Sequence, residues 1–329
     1  MKIHQYCLKG VLQMCTAISF HSNDHYFGRN LDVERDYGQR VVITPKNYTI
    51  PMQCLPAFKT EYALIGMAVV AEEFPLYFEA TNDAGLSIVG LNFPANAVYH
   101  DVAENKSNIT PFELPLWIAG QCKNVRHART LLADCNVVNI SFSNSLPLSP
   151  LHWLIADKNE CIVVESTKDG LKIYDNPYGV LTNNPTFDWH MMNMNNYLHL
   201  HNAGSVDAKN NGTAHNYSLG LGALGLPGDF SSASRFVKAA FVKNNSVKSE
   251  NETENVCQFF HILASVAMPK GCVKMPNGEY EFTFYSCCCN TDKGIFYYNT
   301  YYDSTIRSVN MNDYNTTDNT KLIIIGEEI

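Results

Sequence analysis

Short β-prone runs bounded by turn residues dominate the chain. Cys15–Phe20 is the first, and Asn23-Asp24 supplies a turn before Tyr26-Phe27, so the pattern predicts a hairpin that opens a sheet. Further strands are expected over Ala63–Val70, Leu86–Phe93, Leu151–Ala156, Cys161–Ser166, Phe282–Cys288 and Ile295–Tyr301, with Leu151–Ser166 folded as a hairpin at Lys158-Asn159. Helical spacing appears between them. Val125, Ala128, Leu131 and Leu132 form one apolar stripe, Phe236, Ala239 and Ala240 a second, and Val256, Phe259, Phe260, Leu263 and Val266 a third. Thr110 followed by Pro111 and Glu113 has the form of a capping box with proline at the first helical position. Strand runs mixed with helical runs imply two antiparallel sheets with helices packed outside. No internal repeat or low-complexity linker divides the chain after Cys15, and the polar stretch Asn202–Ser218 is the expected excursion from the core.

Composition narrows the class. At 329 residues, 46% hydrophobic and 17% charged, the chain fits a soluble globular protein large enough to bury a core without staples. The net charge of −8 disfavours nucleic acid or an anionic membrane as partner, since both are gripped through phosphates by a basic excess. No apolar run is long enough for a transmembrane helix. Residues 1–14 lack a signal-peptide core because Gln5, Lys9 and Gln13 interrupt them. Asn-x-Ser/Thr strings such as Asn47-Tyr48-Thr49 and Asn216-Tyr217-Ser218 are chance matches in an asparagine-rich chain. Eleven cysteines without regular spacing argue for reduced thiols and a cytoplasmic setting.

Three strings invite a cofactor or metal reading and fail it. Gly220-Leu221-Gly222-Ala223-Leu224-Gly225 matches G-x-G-x-x-G, but Pro227-Gly228 follows at once and no acid lies between Asp229 and Glu250. Cys287-Cys288-Cys289 on a strand would alternate between faces and could not chelate one tetrahedral ion. His199-Leu200-His201 has no acidic or thiol partner nearby in sequence. No metal or organic cofactor is implied.

Cys15 follows Met14, and a chain that begins at Cys15 carries a thiol and a free α-amine on one residue. With a reference pKa near 8, that amine is a usable base at neutral pH. By itself the Met-Cys pair is equally a buried strand cysteine. However, Met14-Cys15-Thr16-Ala17-Ile18, followed by Phe27-Gly28-Arg29-Asn30-Leu31-Asp32, resembles the opening of the choloylglycine hydrolase family, which contains bile salt hydrolases and penicillin V acylases. The resemblance continues through Thr81-Asn82-Asp83-Ala84-Gly85-Leu86, Gly90-Leu91-Asn92-Phe93, Leu151-His152-Trp153, Leu181–Trp189 and Leu226–Phe236.

The resemblance implies an α+β fold, an αββα four-layer sandwich of two antiparallel sheets typical of N-terminal-nucleophile hydrolases. It places the nucleophile on Cys15, an active-site arginine and aspartate on Arg29 and Asp32, two asparagines on Asn82 and Asn183, and a second arginine on Arg235. The implied reaction is attack of the thiol on the amide of a conjugated bile salt. The Asn82 side chain and the Asn183 N–H would form the oxyanion hole, and Arg235 would stabilise developing charge. Leu31, Met67, Ala68, Ile140 and Phe142 are expected to line an apolar cleft, and Asn82 favours bile salts over penicillin V. Residues 1–14 are then an extension, either a wrong start or a propeptide, ahead of a single domain over 15–329. A homotetramer from a gut bacterium is also implied, with Tyr197–Leu219 as the assembly segment. Each residue also has a purely structural reading: Arg29 and Asp32 as a surface ion pair, Asn82 as a turn residue, Asn183 as a helix cap and Arg235 as a solvated helix residue. A papain-like enzyme pairing a cysteine with His152 or His190, or a non-catalytic steroid-binding protein, are the rivals from other classes.

Overall fold

The hairpin expected at Cys15 forms, and it lies at the centre of the molecule because nearly every residue in it is buried. The computed structural model describes residues 14–144, 146–203, 218–317 and 321–326. Along the chain, β1 (Cys15–His21) and β2 (His25–Val33) are followed by β3 (Arg40–Thr44), β4 (Leu64–Ala71), β5 (Glu79–Asn82) and β6 (Ser87–Asn92). Helices α1 (Leu114–Gln121) and α2 (Val125–Leu132) precede β7 (Leu151–Ala156), β8 (Cys161–Thr167), β9 (Gly170–Asp175) and β10 (Val180–Leu181). Next come α3 (Phe187–Met194), α4 (Ser232–Asn244) and α5 (Glu252–Ala264), then β11 (Tyr280–Asn290), β12 (Ile295–Thr300), β13 (Arg307–Asn310) and β14 (Ile323–Ile325).

Two antiparallel sheets result. One runs β10-β1-β2-β11-β12-β13, and the other β9-β8-β7-β6-β5-β4-β3-β14. Their facing sides bury Ala17, Phe27 and Leu31 from the first sheet against Val89, Leu91, Leu154 and Val163 from the second. The outer face of the second sheet packs Ile88, Trp153 and Ile155 on Leu116, Ile118 and Val125 of α1 and α2. On the outer face of the first sheet, Ile18, Phe20 and Cys288 meet Phe259, Ile262 and Leu263 of α5. This is the four-layer αββα sandwich. Burial on both faces explains why strands such as β7 show continuous apolar runs instead of strict alternation.

Local chemistry accounts for most boundaries. Asn124 caps α2 by accepting from His127 N at 2.9 Å, and Asp157 turns the β7–β8 hairpin by accepting from Asn159 N at 2.7 Å and Glu160 N at 2.9 Å. The capping box at Thr110 differs from expectation. Glu113 is the residue before α1, not a residue in its first turn, and Pro115, not Pro111, sits at the start of the helix. The Glu113 carboxylate accepts from Thr110 N at 3.0 Å, Thr110 Oγ1 at 2.7 Å and Gln53 N at 2.6 Å, so residues 110–113 close as a separate turn. The G-x-G-x-x-G string forms a 3₁₀ turn at Leu221–Ala223 between Gly220 at φ +79° and Gly225 at φ +94°, not the opening of a helix. Cys287 and Cys289 point between the sheets while Cys288 faces α5. Most of the polar excursion (204–217) and residues 1–13 of the N-terminal extension lie outside the described residues.

Gly28 marks the tightest contact at the centre. A Cβ built there would stand 1.9 Å from the carbonyl oxygen of Cys287 on β11. Gly28→Ala therefore forces apart two central strands and should cost about 3 kcal/mol or more. A lower urea midpoint at unchanged slope is the expected observation; wild-type stability would show that the strands separate at little cost.

Candidate active site

Cys15 begins β1 and pairs in register with Leu31 of β2. Strand alternation then sends Arg29 between the sheets, on the face of Phe27 and Leu31, while Asp32 points to the other side. The two are not a surface ion pair. Both are buried, and they point to opposite sides of β2. Arg29 Nη2 donates to Cys15 Sγ, and its other N–H groups reach Gly90 O at 2.8 Å, Phe78 O at 3.4 Å and Asn30 O at 3.3 Å. Asp32 Oδ1 accepts from Thr283 Oγ1 at 2.6 Å, and the Asp32 N–H donates to Met14 O at 3.2 Å. Burial raises the Cys15 thiol above its usual range, opposed chiefly by the charge of Arg29. Burial also lifts Asp32 to about 6, with Arg235 the main opposing influence.

Arg235 comes from the first turn of α4 and is 1% exposed, so it is no solvated helix residue. It donates to Cys15 O at 2.5 Å, Thr16 Oγ1 at 2.7 Å, Asn183 Oδ1 at 2.7 Å and Phe230 O at 2.9 Å. With those donors committed it acts as a clamp on the Cys15 backbone, not as a group awaiting charge on a substrate. Asn183 follows β10 and does not cap α3, whose capping residue is Thr186. Its Oδ1 accepts from Cys15 N at 2.9 Å, and its Nδ2 donates to Asn92 O at 2.7 Å. The Asn183 N–H, expected in the oxyanion hole, donates to Ser232 Oγ at 2.9 Å. A substrate oxygen reaches that N–H only by displacing the serine hydroxyl.

Asn82 requires correction. Its Nδ2 donates to Ala119 O and Cys122 O, both at 2.8 Å, and its Oδ1 accepts from Ala84 N at 3.1 Å and Leu86 N at 2.9 Å. It ties the β5–β6 turn to the end of α1, and both protons of its amide are spent there. The asparagine on the wall beside Cys15 is Asn92, at the end of β6. The Gly90-Leu91-Asn92-Phe93 motif was visible in the sequence, but which of the two asparagines lines the cavity with Cys15 is decided by the fold.

A cavity of ≈ 220 Å³ opens above Cys15, walled by Leu31, Tyr37, Val69, Phe78, Phe112, Phe142 and Leu146 among others. Leu31 and Phe142 are thus where expected; Phe142 is held by Phe112, with ring centroids 5.1 Å apart. Met67, Ala68 and Ile140 do not line it. Met67 packs between the sheets, one repeat deeper along β4 than Val69, and Ala68 faces the helices on the opposite side. Ile140 is half-buried just before the stretch that supplies Phe142. The histidine partners of a papain-like enzyme are also engaged elsewhere. His152 Nε2 donates to Thr182 O at 2.8 Å with Nδ1 3.1 Å from Glu165 Oε1, and His190 Nε2 donates to Asn183 O at 3.0 Å. Both rings hold the 182–183 backbone instead of the thiol.

Comparison with known proteins gives the family and the fold. A model of the linear amide C–N hydrolases, choloylglycine hydrolase family, matches residues 15–325. The chain is 50% identical over 311 residues to the bile salt hydrolase/transferase of Lactiplantibacillus plantarum, covering 94% of this chain and 96% of that protein. The crystal structure of a variant of the conjugated bile acid hydrolase from Clostridium perfringens superposes with a TM-score of 0.88 at 34% identity, covering 95% of this chain and 96% of the other. The penicillin V acylase from Agrobacterium tumefaciens shares the fold, with a TM-score of 0.75 at 18% identity over 95% of this chain and 92% of its own.

The two asparagines separate by experiment. Asn92→Ala should lower kcat roughly 100- to 1,000-fold with little loss of stability, the loss seen when one oxyanion donor is removed. Asn82→Ala should instead lower stability by about 2–3 kcal/mol, because two buried carbonyls lose their donor. Steady-state kinetics with thermal unfolding on both variants decides the matter, and a reversed pattern would return the oxyanion role to Asn82.

Proposed function

The chain belongs to the choloylglycine hydrolase family of linear amide C–N hydrolases, and from that premise we propose that it cleaves the amide of conjugated bile salts through Cys15. It is a bile salt hydrolase. The observation that carries the mechanism is the Cys15 thiol at the base of an apolar cavity with the Arg29 guanidinium against its sulfur. The apolar walls take the steroid, which gains about 25 cal/mol for each Å² removed from water.

In the active form the chain begins at Cys15, so its nitrogen is an amine. Asn183 Oδ1, now 2.9 Å from that nitrogen, holds it in place. Among the described residues Asp32 Oδ2 has no hydrogen-bond partner, and an ammonium at Cys15 supplies a positive charge for this buried carboxyl. The amine takes the thiol proton, and the thiolate, favoured by Arg29, bonds to the substrate carbonyl carbon. Charge gathers on the carbonyl oxygen, and Asn92, on the same cavity wall as Cys15, is the donor we assign to it. The C–N bond then breaks, glycine or taurine leaves with the proton from the ammonium, and a thioester remains. Water attacks the thioester, giving its proton to the amine and then to the departing sulfur, and the bile acid is released.

Purified protein should hydrolyse glycocholate and taurocholate with higher kcat/KM than penicillin V, whose small acyl group leaves much of the cavity unfilled. The active species should have an intact mass beginning at Cys15, and folded Cys15→Ala should be inactive. Turnover by that variant, or faster cleavage of penicillin V than of both bile salts, would overturn the reading.

We read the protein further as a cytoplasmic homotetramer of a gut bacterium. Of the assembly segment Tyr197–Leu219, residues 204–217 lie outside the described residues; Leu198 and Leu219 near its ends, and Trp189, Met192 and Leu224 close to it in sequence, are exposed apolar side chains that a partner copy would cover. The described cysteines are free thiols, as a reducing compartment requires, and no helix among the described residues is long and apolar enough to cross a membrane. Light scattering should give four times the chain mass, and Leu198→Lys with Leu224→Lys should reduce it. A monomeric wild type would remove this assignment.

A further inference from the structure

Arg29 has a second buried neighbour that the reaction as described does not use. Glu79 on β5 is 3% exposed, and its Oε2 lies 3.9 Å from Arg29 Nε. Tyr285 on β11, in the opposite sheet, donates its hydroxyl to the same carboxyl at 2.8 Å and 3.2 Å. The guanidinium therefore stands between the Cys15 sulfur on one side and a carboxyl on the other. Glu79 does not line the cavity.

We propose that Glu79 is a positioning residue that governs how much of the Arg29 charge reaches the Cys15 thiolate. When Glu79 is neutral, the guanidinium serves the sulfur alone. When it is ionised, the two negative groups compete for one cation, and forming the thiolate becomes harder. In a water-poor interior such competition between neighbouring charges is felt strongly. The groups facing Glu79 are Arg29 from β2, Tyr285 and Cys287 from β11, and the Met67 backbone from β4, with Cys289 also nearby. Arg29 is the one cation among them. Burial lifts Glu79 to about 7, against the opposing pull of Arg29 and the hydrogen bond from Tyr285. The direction follows from that. Below about pH 7 the carboxyl is largely protonated and Arg29 supports the thiolate, and above it the support weakens.

The inference rests on Cys15 as nucleophile, and the experiment tests that separately. Purified wild type, Glu79→Gln, Glu79→Asp and Tyr285→Phe are alkylated with iodoacetamide between pH 5 and 9, and modification of the Cys15 peptide is followed by mass spectrometry. Loss of glycocholate hydrolysis in step with Cys15 labelling supports the nucleophile; labelled protein that remains active refutes it, whatever the pH profiles show. For Glu79→Gln the apparent pKa of Cys15 labelling should fall by about one unit, which is tenfold more thiolate below that pH. Glu79→Asp should stay near wild type because it keeps the charge. Tyr285→Phe, which removes a donor from the ionised carboxyl, should shift the profile the same way by less. A Glu79→Gln protein with a lower thermal midpoint and an unchanged Cys15 profile would make Glu79 structural only and overturn the proposal. Should that variant fail to fold, a wild-type profile in Tyr285→Phe overturns it equally.

Discussion

Two buried arginines closing on one residue are the constraint around which the rest is arranged. Arg29 and Arg235 are each 1% exposed, and a guanidinium removed from water is tolerable only if its donors are met. Arg29 meets them with the Cys15 sulfur and with carbonyls at Asn30, Phe78 and Gly90. Arg235 meets them with Cys15 O, Thr16, Asn183 and Phe230. Between them they tie both sheets and α4 to the first residue of β1. A cysteine held by so many groups has little conformational freedom, which suits the nucleophilic role proposed for it.

The same arrangement divides labour between the two sides of Cys15. The sulfur faces the gap between the sheets, where Arg29 and the apolar cavity lie, while the backbone nitrogen and carbonyl are held by Asn183 and Arg235. His152 and His190 stand behind the 182–183 backbone, stacked on Phe93 at 4.2 Å and on Phe236 at 4.7 Å. They are two links removed from the thiol, yet they fix the strand end that fixes the nitrogen. Burial holds His190 down to about 4, so it remains neutral and its grip does not change near neutral pH. The cavity wall is built from separate pieces: β2, the β4 end, and the stretches around Phe112 and Phe142. Its shape thus follows from how the layers meet at one end of the sandwich.

Much of this was open to a reader of the chain alone. The opening hairpin, the β7–β8 hairpin with its Asp157 turn, α2 and α5 are written in local patterns, since turn chemistry and the periods of strand and helix act over a few residues. Cys15, Arg29, Asp32, Asn183 and Arg235 do converge. Sequence could not decide between Asn82 and Asn92. Both end a strand edge in an asparagine-bearing motif, and only the fold reveals that one amide is consumed by α1 while the other borders the cavity. Met67 and Val69 share a face of β4, and their difference is depth, which no periodicity encodes. Glu79 gave no signal, because its buried partners Arg29 and Tyr285 lie 50 and 206 positions away.

The sequence by itself determined the strands and the turns around Cys15, which depend on neighbours within a turn or a pair of strands. Tertiary structure alone decided that the Asn82 amide is spent on α1 and that Glu79 and the Cys15 thiol share one neighbouring cation. A hydrogen-bonding group can be spent only once, and where it is spent is settled by contacts such as that of Arg235 with Cys15, across 220 positions of chain.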